Sequence, residues 1–121
     1  MKTKFLLFVI AIFGAVNLSF SQNVDGYKYH GTDGNVSLYY KQSEYGVTFR
    51  AVNKRDKAVY VKVMNVVSKW SNGKTRQKDV NIGFVGSNRA SNGGGLNTDN
   101  YAKIKSWTFD GWKWSEKAFI E

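Results

Sequence analysis

The feature that most constrains this chain is an alternation of apolar and polar residues with a period of two. Val47, Phe49 and Ala51 fall on one face of such a run, and Thr48 and Arg50 fall on the other. This period indicates β-strands with one buried face, whereas a helix repeats its apolar residues every three or four positions. No stretch of ten residues combines that helical period with a credible cap, so the sequence predicts an all-β protein. The pattern is clearest in four runs: 36–41, 45–52, 58–67 and 79–85.

Turn-forming residues separate these runs. Clusters typical of turns occupy 53–57 and 71–74, and Asn72-Gly73 predicts a two-residue type I′ turn between antiparallel strands. A further strand around 26–30 and two from the final segment bring the total to about seven short strands. That number and spacing predict a single antiparallel β-sandwich of the immunoglobulin-like kind, with a small β-barrel as the alternative.

The alternation also predicts which side chains are buried in the fourth run. Val80, Ile82 and Phe84 are expected on one apolar face, opposite Asn81 and Gly83. All three apolar side chains of this run are therefore expected in the core.

One passage resembles a known class of protein modules. The stretch "VTFRAVNKRDKAVYVKV", residues 47–63, is similar to the strand, Asn-containing turn and strand of bacterial secreted immunoglobulin-like modules. The N-terminal segment "SFSQ", residues 19–22, resembles the end of signal peptides of Bacteroidetes-type bacteria. The resemblance implies a sandwich fold and a bacterial exported protein, but no activity, because such modules carry many unrelated functions.

The N-terminus has the pattern of a secretory signal peptide. Lys2 and Lys4 precede the apolar run 5–16, and small residues stand before a cleavage site at Gln22. The sequence therefore predicts a signal peptide over 1–21 and one β-sandwich domain over 22–121. Because the chain contains no cysteine, a lipid-modified cysteine is excluded. We expect a secreted or periplasmic protein with no stable membrane insertion after the leader is removed.

The chain is strongly basic. It has 18 Lys and Arg against 9 Asp and Glu; removal of Lys2 and Lys4 leaves 18 − 2 − 9, a net charge of +7. Such a charge favours polyanionic partners, although scattered basic residues also serve solubility. The densest basic cluster provides the predicted charge contacts: Lys54, Arg55 and Lys57.

Three tryptophans lie in the segment "SWTFDGWKW", residues 106–114. Asp110-Gly111 predicts a hairpin turn that pairs Phe109 with Trp112 and Trp107 with Trp114. A one-residue bulge between Ile104 and Trp107 is also expected, because it brings Ile104 to the aromatic side. With the bulge, the rings are expected to lie mostly in the core; without it, they form an exposed stacking surface for a ligand. The predicted stacking residues are Trp107, Trp112 and Trp114.

A second candidate site is the connection 86–100, which shows no periodicity. It carries Arg89 as its only cation and three consecutive glycines. Fifteen residues without periodicity indicate a flexible tip or a binding loop. As a binding loop, it is the expected contact surface for a protein partner, with Arg89 as a ligand-binding residue.

Catalytic chemistry has little support in the sequence. With His30 as the only histidine and no cysteine, a Cys–His nucleophilic site and a zinc site of the usual His/Cys kind are excluded. We expect no catalytic residues, metal or cofactor. The predicted function is a secreted, non-enzymatic binding module for a glycan or polyanionic component of the cell envelope or surroundings. The alternatives are a protein-interaction module, such as an inhibitor or envelope-assembly accessory, and a small hydrolase that uses His30 with Asp33.

Overall fold

The computed structural model describes residues 24–119. The predicted signal peptide, 1–21, and its cleavage site before Gln22 lie outside the described residues. The described chain contains nine β-strands and no helix, which confirms the all-β prediction. The strands are β1 Lys28–Asp33, β2 Val36–Ser43, β3 Gly46–Asn53, β4 Val59–Trp70, β5 Thr75–Val85, β6 Arg89–Ala90, β7 Gly94–Asn97, β8 Ile104–Thr108 and β9 Gly111–Ser115.

The strands form two antiparallel sheets. In sheet one the order is β1-β2-β3, and β6 and β7 both pair with the other edge of β3. In sheet two β5 pairs with one edge of β4, and β8 and β9 both pair with the opposite edge. The two sheets remain separate, so the described residues form a two-sheet arrangement and not the closed barrel of the alternative prediction.

The inner faces of the two sheets meet in one apolar core. Val47, Phe49 and Ala51 of β3 are fully buried, as their alternation predicts. They pack with Val61 and Val63 of β4, so the core contains side chains from both sheets. Burial of these side chains is the main favourable term in the folding of such a domain.

The prediction that Phe84 is buried, at the end of the run 79–85, is wrong. Val80 and Ile82 are buried, but the Phe84 side chain is 62% exposed. The β4–β5 register shifts by one residue in this region, and Gly83 adopts a positive φ of 86°. Because a bulge reverses the faces that follow it, Phe84 points outward and Val85 is buried in its place.

The β4–β5 turn differs from the predicted two-residue type I′ turn. Only Gly73 has a positive φ there, and its amide donates to the Trp70 carbonyl at 3.0 Å. The Trp70 amide donates to the Lys74 carbonyl at 3.0 Å, so three residues form the loop. The two-residue turn with two positive φ values instead joins β1 to β2, at Gly34 and Asn35.

The predicted hairpin at Asp110-Gly111 is wrong. The strands β8 and β9 do not pair with each other; they follow one another along the same edge of β4. The break between them lies beside a bulge in β4, where Asn65 has a φ of 55° and donates from Nδ2 to Asp110 Oδ2 at 2.6 Å. Asp110 therefore bonds to the bulge of β4 instead of closing a turn. Its backbone amide donates to the Met64 carbonyl at 3.1 Å.

The predicted bulge before Trp107 is confirmed. Ser106 is opposite Lys69, and Ile104 is opposite Trp70, so Lys105 is the extra residue of β8. The Ile104 side chain is buried in the core as a result.

The interpretation of 86–100 as a flexible tip is wrong for its central part. β6 and β7 lie in this segment and extend sheet one beyond β3. A Cβ added to Gly95 would overlap the carbonyl oxygen of Val47, so glycine allows the β7 backbone to approach β3 closely. The glycines therefore serve strand packing at this point.

The described residues contain no helix long and apolar enough to cross a membrane.

Candidate binding site

The outer face of sheet one carries a concentrated set of aromatic and polar side chains. Register places Tyr29, Tyr39 and Arg50 in one row across β1, β2 and β3. The rings of Tyr29 and Tyr39 meet edge to face with centroids 5.5 Å apart. We call this surface the tyrosine face; it comprises Tyr27, Tyr29, Thr32, Ser37, Tyr39, Lys41, Arg50 and Lys54.

A bulge in β1 builds one side of the tyrosine face. Tyr29 is opposite Tyr39, but Gly31 is opposite Leu38, so His30 is the extra residue. Thr32 follows Tyr29 by three positions, and in a regular strand two such residues point to opposite faces. The bulge places both side chains on the same face.

A line of hydroxyl groups crosses the tyrosine face. The Tyr29 hydroxyl is 2.6 Å from Thr32 Oγ1, which is in turn 2.7 Å from Ser37 Oγ. Hydroxyl groups donate and accept hydrogen bonds, so this line offers adaptable partners to a polar ligand.

The residues just before β1 fold over one end of the tyrosine face. The Tyr27 amide donates to the Val24 carbonyl at 2.9 Å, and the Val24 side chain is buried. This turn holds the Tyr27 ring beside two cations: the Arg50 guanidinium lies 5.0 Å from the ring centroid and Lys41 Nζ lies 5.8 Å from it. Both distances are within the range of a cation–π interaction.

A cavity of about 530 Å³ opens between this turn and the sheet. Its volume lies in the range typical of small-molecule sites. The wall combines the tyrosine rings, the hydroxyl line and Lys54; the full lining is Val24, Asp25, Gly26, Tyr27, Tyr29, Thr32, Ser37, Tyr39, Val52 and Lys54.

Burial raises the pKa of the Tyr39 hydroxyl above its ordinary value of 10.0, and the neighbouring Tyr29 adds to the shift. Both effects disfavour the tyrosinate, because a negative charge is poorly solvated there. At neutral pH the Tyr39 side chain is therefore a neutral hydroxyl that can donate a hydrogen bond into the cavity.

The charge of the tyrosine face is positive. Lys41 and Arg50 lie against the Tyr27 ring, and Lys54 lines the cavity. Asp25 is the one carboxylate among the residues that line the cavity. Such a surface attracts anions and retains polar groups that accept hydrogen bonds.

The tryptophans occupy a different place. The Trp107 ring packs edge to face against Phe49 at 5.6 Å and against Tyr40 at 5.3 Å, and its Nε1 donates to Gln42 Oε1 at 2.8 Å. Trp107 is thus half-buried between sheet two and β2 of sheet one. A cavity of about 360 Å³ beside it is lined by His30, Tyr40, Trp107, Thr108, Phe109, Asp110 and Gly111.

Trp112 and Trp114 are also half-buried against the core. Trp114 Nε1 donates to the Asp33 carbonyl at 3.0 Å, which ties β9 to the end of β1. The Arg55 guanidinium covers the Trp114 ring at 4.5 Å. Trp107 and Trp114 therefore connect the two sheets along one side of the molecule.

The predicted basic cluster is divided by the fold. Asn53 is buried and donates from Nδ2 to the carbonyls of Lys57 at 2.9 Å and Val85 at 3.1 Å, which fixes the crossing from sheet one to sheet two. Lys54 lines the cavity, while Arg55 donates to Glu116 at 2.8 Å on the other side. Lys57 is exposed, so the structure does not bring the three cations together.

Arg89 is exposed at a third cavity, of about 450 Å³. Phe84, which is 62% exposed, lies on its wall with Ser91 and Asn92. The same bulge that turned Phe84 outward therefore places an aromatic ring next to the one cation of the 86–100 segment.

Sequence reasoning missed most of the tyrosine face. The alternation in "VSLYYK" separates Ser37, Tyr39 and Lys41 from the buried face and was sufficient to find these three. The positions of Tyr27 and Tyr29 depend on a bulge and a turn that have no clear sequence signal. Within 24–119, no group of three His, Cys, Asp or Glu residues is placed to hold a metal ion.

Comparisons with protein-family models, with curated proteins and with solved structures give no match for this chain.

Proposed function

We propose that this protein is a secreted, non-enzymatic binding module for a glycan or polyanionic component of the cell envelope or surroundings. The tyrosine face is its binding surface. The observation that carries the proposal is the cavity of about 530 Å³, where three tyrosine rings, a line of hydroxyls and the Lys54 side chain meet on the outer face of a sheet.

The chemistry of this cavity suits a carbohydrate. Aromatic rings offer apolar faces on which a sugar ring can stack, and hydroxyl groups match its donors and acceptors. The tyrosine and hydroxyl side chains of the cavity are not part of the core, because the inner face of sheet one is formed by other residues: Val36, Leu38 and Phe49. The tryptophans, by contrast, hold the two sheets together, so the proposed stacking residues are the tyrosines.

The bacterial origin is part of the proposal, and the immunoglobulin-like resemblance is kept for the sandwich architecture alone. Counting β6–β7 and β8–β9 each as one broken strand gives seven strand paths, four in sheet one and three in sheet two. The order of sheet one begins with three consecutive strands, unlike the A-B-E-D order of constant-type immunoglobulin domains. The proposal therefore concerns sandwich architecture and not immunoglobulin topology.

The test is a binding screen with immobilised neutral and acidic polysaccharides. We expect retention of the protein on at least one of them, and loss of retention in Tyr27→Ala and Tyr29→Ala. Tyr101→Ala is the matched control, because Tyr101 is 86% exposed and lies away from the cavity. Retention unchanged in both cavity variants, or absent across the whole panel, would contradict the proposal.

A second candidate function is binding of a protein partner at the cavity beside Phe84 and Arg89. The observation that favours it is the 62% exposure of Phe84, an aromatic side chain next to a cation, which is a combination typical of interaction surfaces. If a partner is isolated from the native host, Phe84→Ala should weaken its capture while Tyr29→Ala leaves it unchanged. The reverse pattern would assign the partner to the tyrosine face. The small hydrolase that uses His30 stays an untested prediction.

A further inference from the structure

The tyrosine face has cations on both sides of its hydroxyl line: Lys54 lines the cavity, and Lys41 and Arg50 lie against the Tyr27 ring, which is part of the cavity wall. Register along β2 places Ser37, Tyr39 and Lys41 in sequence on the outer face, about 6.7 Å apart at each step. Lys54 continues this line beyond Ser37, because its amide donates to the Asn35 carbonyl at 2.9 Å at the start of β2.

The two ends differ in how their charge is held. At one end Lys41 and Arg50 both lie within 6 Å of the Tyr27 ring centroid, so one aromatic ring contacts two cations. At the other end Lys54 lines the cavity beside Thr32 and Ser37. Along the paired strands β2 and β3, Lys54 lies six residues from the position opposite Lys41, or about 20 Å, and four residues from Arg50, or about 13 Å.

From this arrangement we infer that the ligand is an acidic glycan, a chain of sugar rings that carries carboxylate or sulfate groups. The tyrosine rings and the hydroxyl line contact the sugar rings, and Lys41, Arg50 and Lys54 bind the anionic groups through charge-assisted hydrogen bonds. The spacing of the cations favours an extended oligosaccharide over a single acidic sugar. This inference rests on the proposed function, and it narrows glycan or polyanion to a ligand that is both.

The competing ligands are a neutral glycan and a polyanion without sugar rings. A neutral glycan makes no use of the three cations. A polyanion recognised by charge alone makes no use of the tyrosine rings, and its binding falls steeply with salt, because each neutralised charge releases counterions. Only an acidic glycan requires both sets of side chains.

The experiment measures the affinity of the purified protein for four probes. Polygalacturonate and heparin are the acidic glycans, methyl-esterified polygalacturonate is the neutral match, and inorganic polyphosphate is the polyanion without rings. We expect one of the acidic glycans to bind at least about tenfold more tightly than both the ester and polyphosphate, a preference of the size that one or two charge-assisted hydrogen bonds provide.

Two variants assign this preference to the site. The double variant Lys41→Gln/Lys54→Gln should lose about tenfold in affinity for the acidic glycan. Lys69→Gln/Lys74→Gln is the matched control: it removes the same charge from exposed residues of sheet two and its turn, and affinity should stay within about twofold of the wild type. Circular dichroism of both variants establishes that each is folded.

Each other result overturns the inference. Equal binding of the ester identifies a neutral glycan, and leaves the proposed function intact. Equal binding of polyphosphate identifies recognition by charge alone. An equal loss in the two double variants shows that net charge, not this site, sets the affinity. Binding to none of the four probes also overturns the acidic glycan, while the wider polysaccharide panel decides the proposed function separately.

Discussion

Two aromatic regions of this protein occupy opposite kinds of position. The tryptophans of β8 and β9 lie between the sheets, where Trp107 contacts Phe49 of the core and Trp114 bonds to the carbonyl of Asp33. The tyrosines of the tyrosine face lie on the outside of sheet one, around an open cavity. The first set connects two sheets, and the second set forms the surface that we propose for binding.

The difference teaches that aromatic density alone does not identify a binding surface. The tryptophan segment is the more conspicuous in the sequence. The indole N–H groups of Trp107 and Trp114, however, already have partners within the chain: Gln42 Oε1 and the Asp33 carbonyl. The tyrosine face differs because its side chains lie on the outer side of sheet one, and other residues of the same strands fill the core on the inner side. The direction of the side chain relative to the core is therefore more informative than the type of ring.

The largest expected effect that tests this comparison is the truncation of Trp107. Replacement by Ala removes the contacts with Phe49 and Tyr40 and the hydrogen bond to Gln42, so we expect Trp107→Ala to lower the free energy of unfolding by about 3 kcal/mol. Urea denaturation followed by tryptophan emission measures the change. Tyr101→Ala is the control, with an expected change within about 0.5 kcal/mol because its side chain is almost fully exposed. A Trp107→Ala midpoint equal to that of the wild type would place the tryptophans with the ligand-binding residues.

A smaller effect is expected at Trp114. Its ring is half-buried, and it contributes a hydrogen bond to the Asp33 carbonyl and a cation–π contact with Arg55. We expect Trp114→Ala to destabilise the protein by about 2 kcal/mol, from partial burial and these two contacts. Trp114→Phe separates the contributions, because it keeps a ring under Arg55 and loses the N–H donor. A Trp114→Phe variant as stable as the wild type would show that the hydrogen bond to Asp33 contributes nothing, whereas equal stability of the two variants would show that the ring contributes nothing.

The bulge that separates β8 from β9 gives the next effect. Asn65 has a positive φ and uses its side chain to bond Asp110. Asn65→Ala should cost about 1.5 kcal/mol, because alanine tolerates that backbone conformation poorly and makes no such bond. Asn65→Gly accepts the conformation and loses only the side-chain bonds, so its loss in urea denaturation should be about half as large. If glycine is the more damaging of the two, backbone strain is not what Asn65 relieves.

Part of this comparison could be predicted from the sequence. The period of two located the strands and the buried face of β3 from Val47 to Ala51, because burial of one sheet face leaves a direct mark on composition. The bulge before Trp107 was also predictable, since it was needed to bury Ile104. These features depend on neighbours along the chain.

The remaining features depend on partners distant in the chain. Asp110-Gly111 has the composition of a hairpin turn, but β4 is long enough to pair with both β8 and β9, and Asn65 supplies the bond that Asp110 needs. Phe84 was misplaced because a bulge at Gly83 reversed the alternation. A period-two pattern does not show where a strand slips by one residue, and the tyrosine face is built by such a slip at His30.

The smallest expected effect concerns the pH dependence of the two regions. Burial raises the pKa of Tyr39, so the folded state holds this proton more tightly than the unfolded state does. The corresponding contribution to stability is present in full below pH 10.0, the ordinary value, and is lost as the pH rises through the higher pKa of the folded protein. Tyr39→Phe has no proton to lose at this position, whereas the tryptophan rings do not titrate at all. The stability of Tyr39→Phe relative to the wild type should therefore rise between pH 8 and pH 11 in urea denaturation, and Tyr101→Phe gives the baseline for removal of one exposed phenol. A difference between Tyr39→Phe and the wild type that does not change with pH would show that Tyr39 is as well solvated in the folded protein as in the unfolded one, and would remove the neutral hydroxyl donor from the tyrosine face.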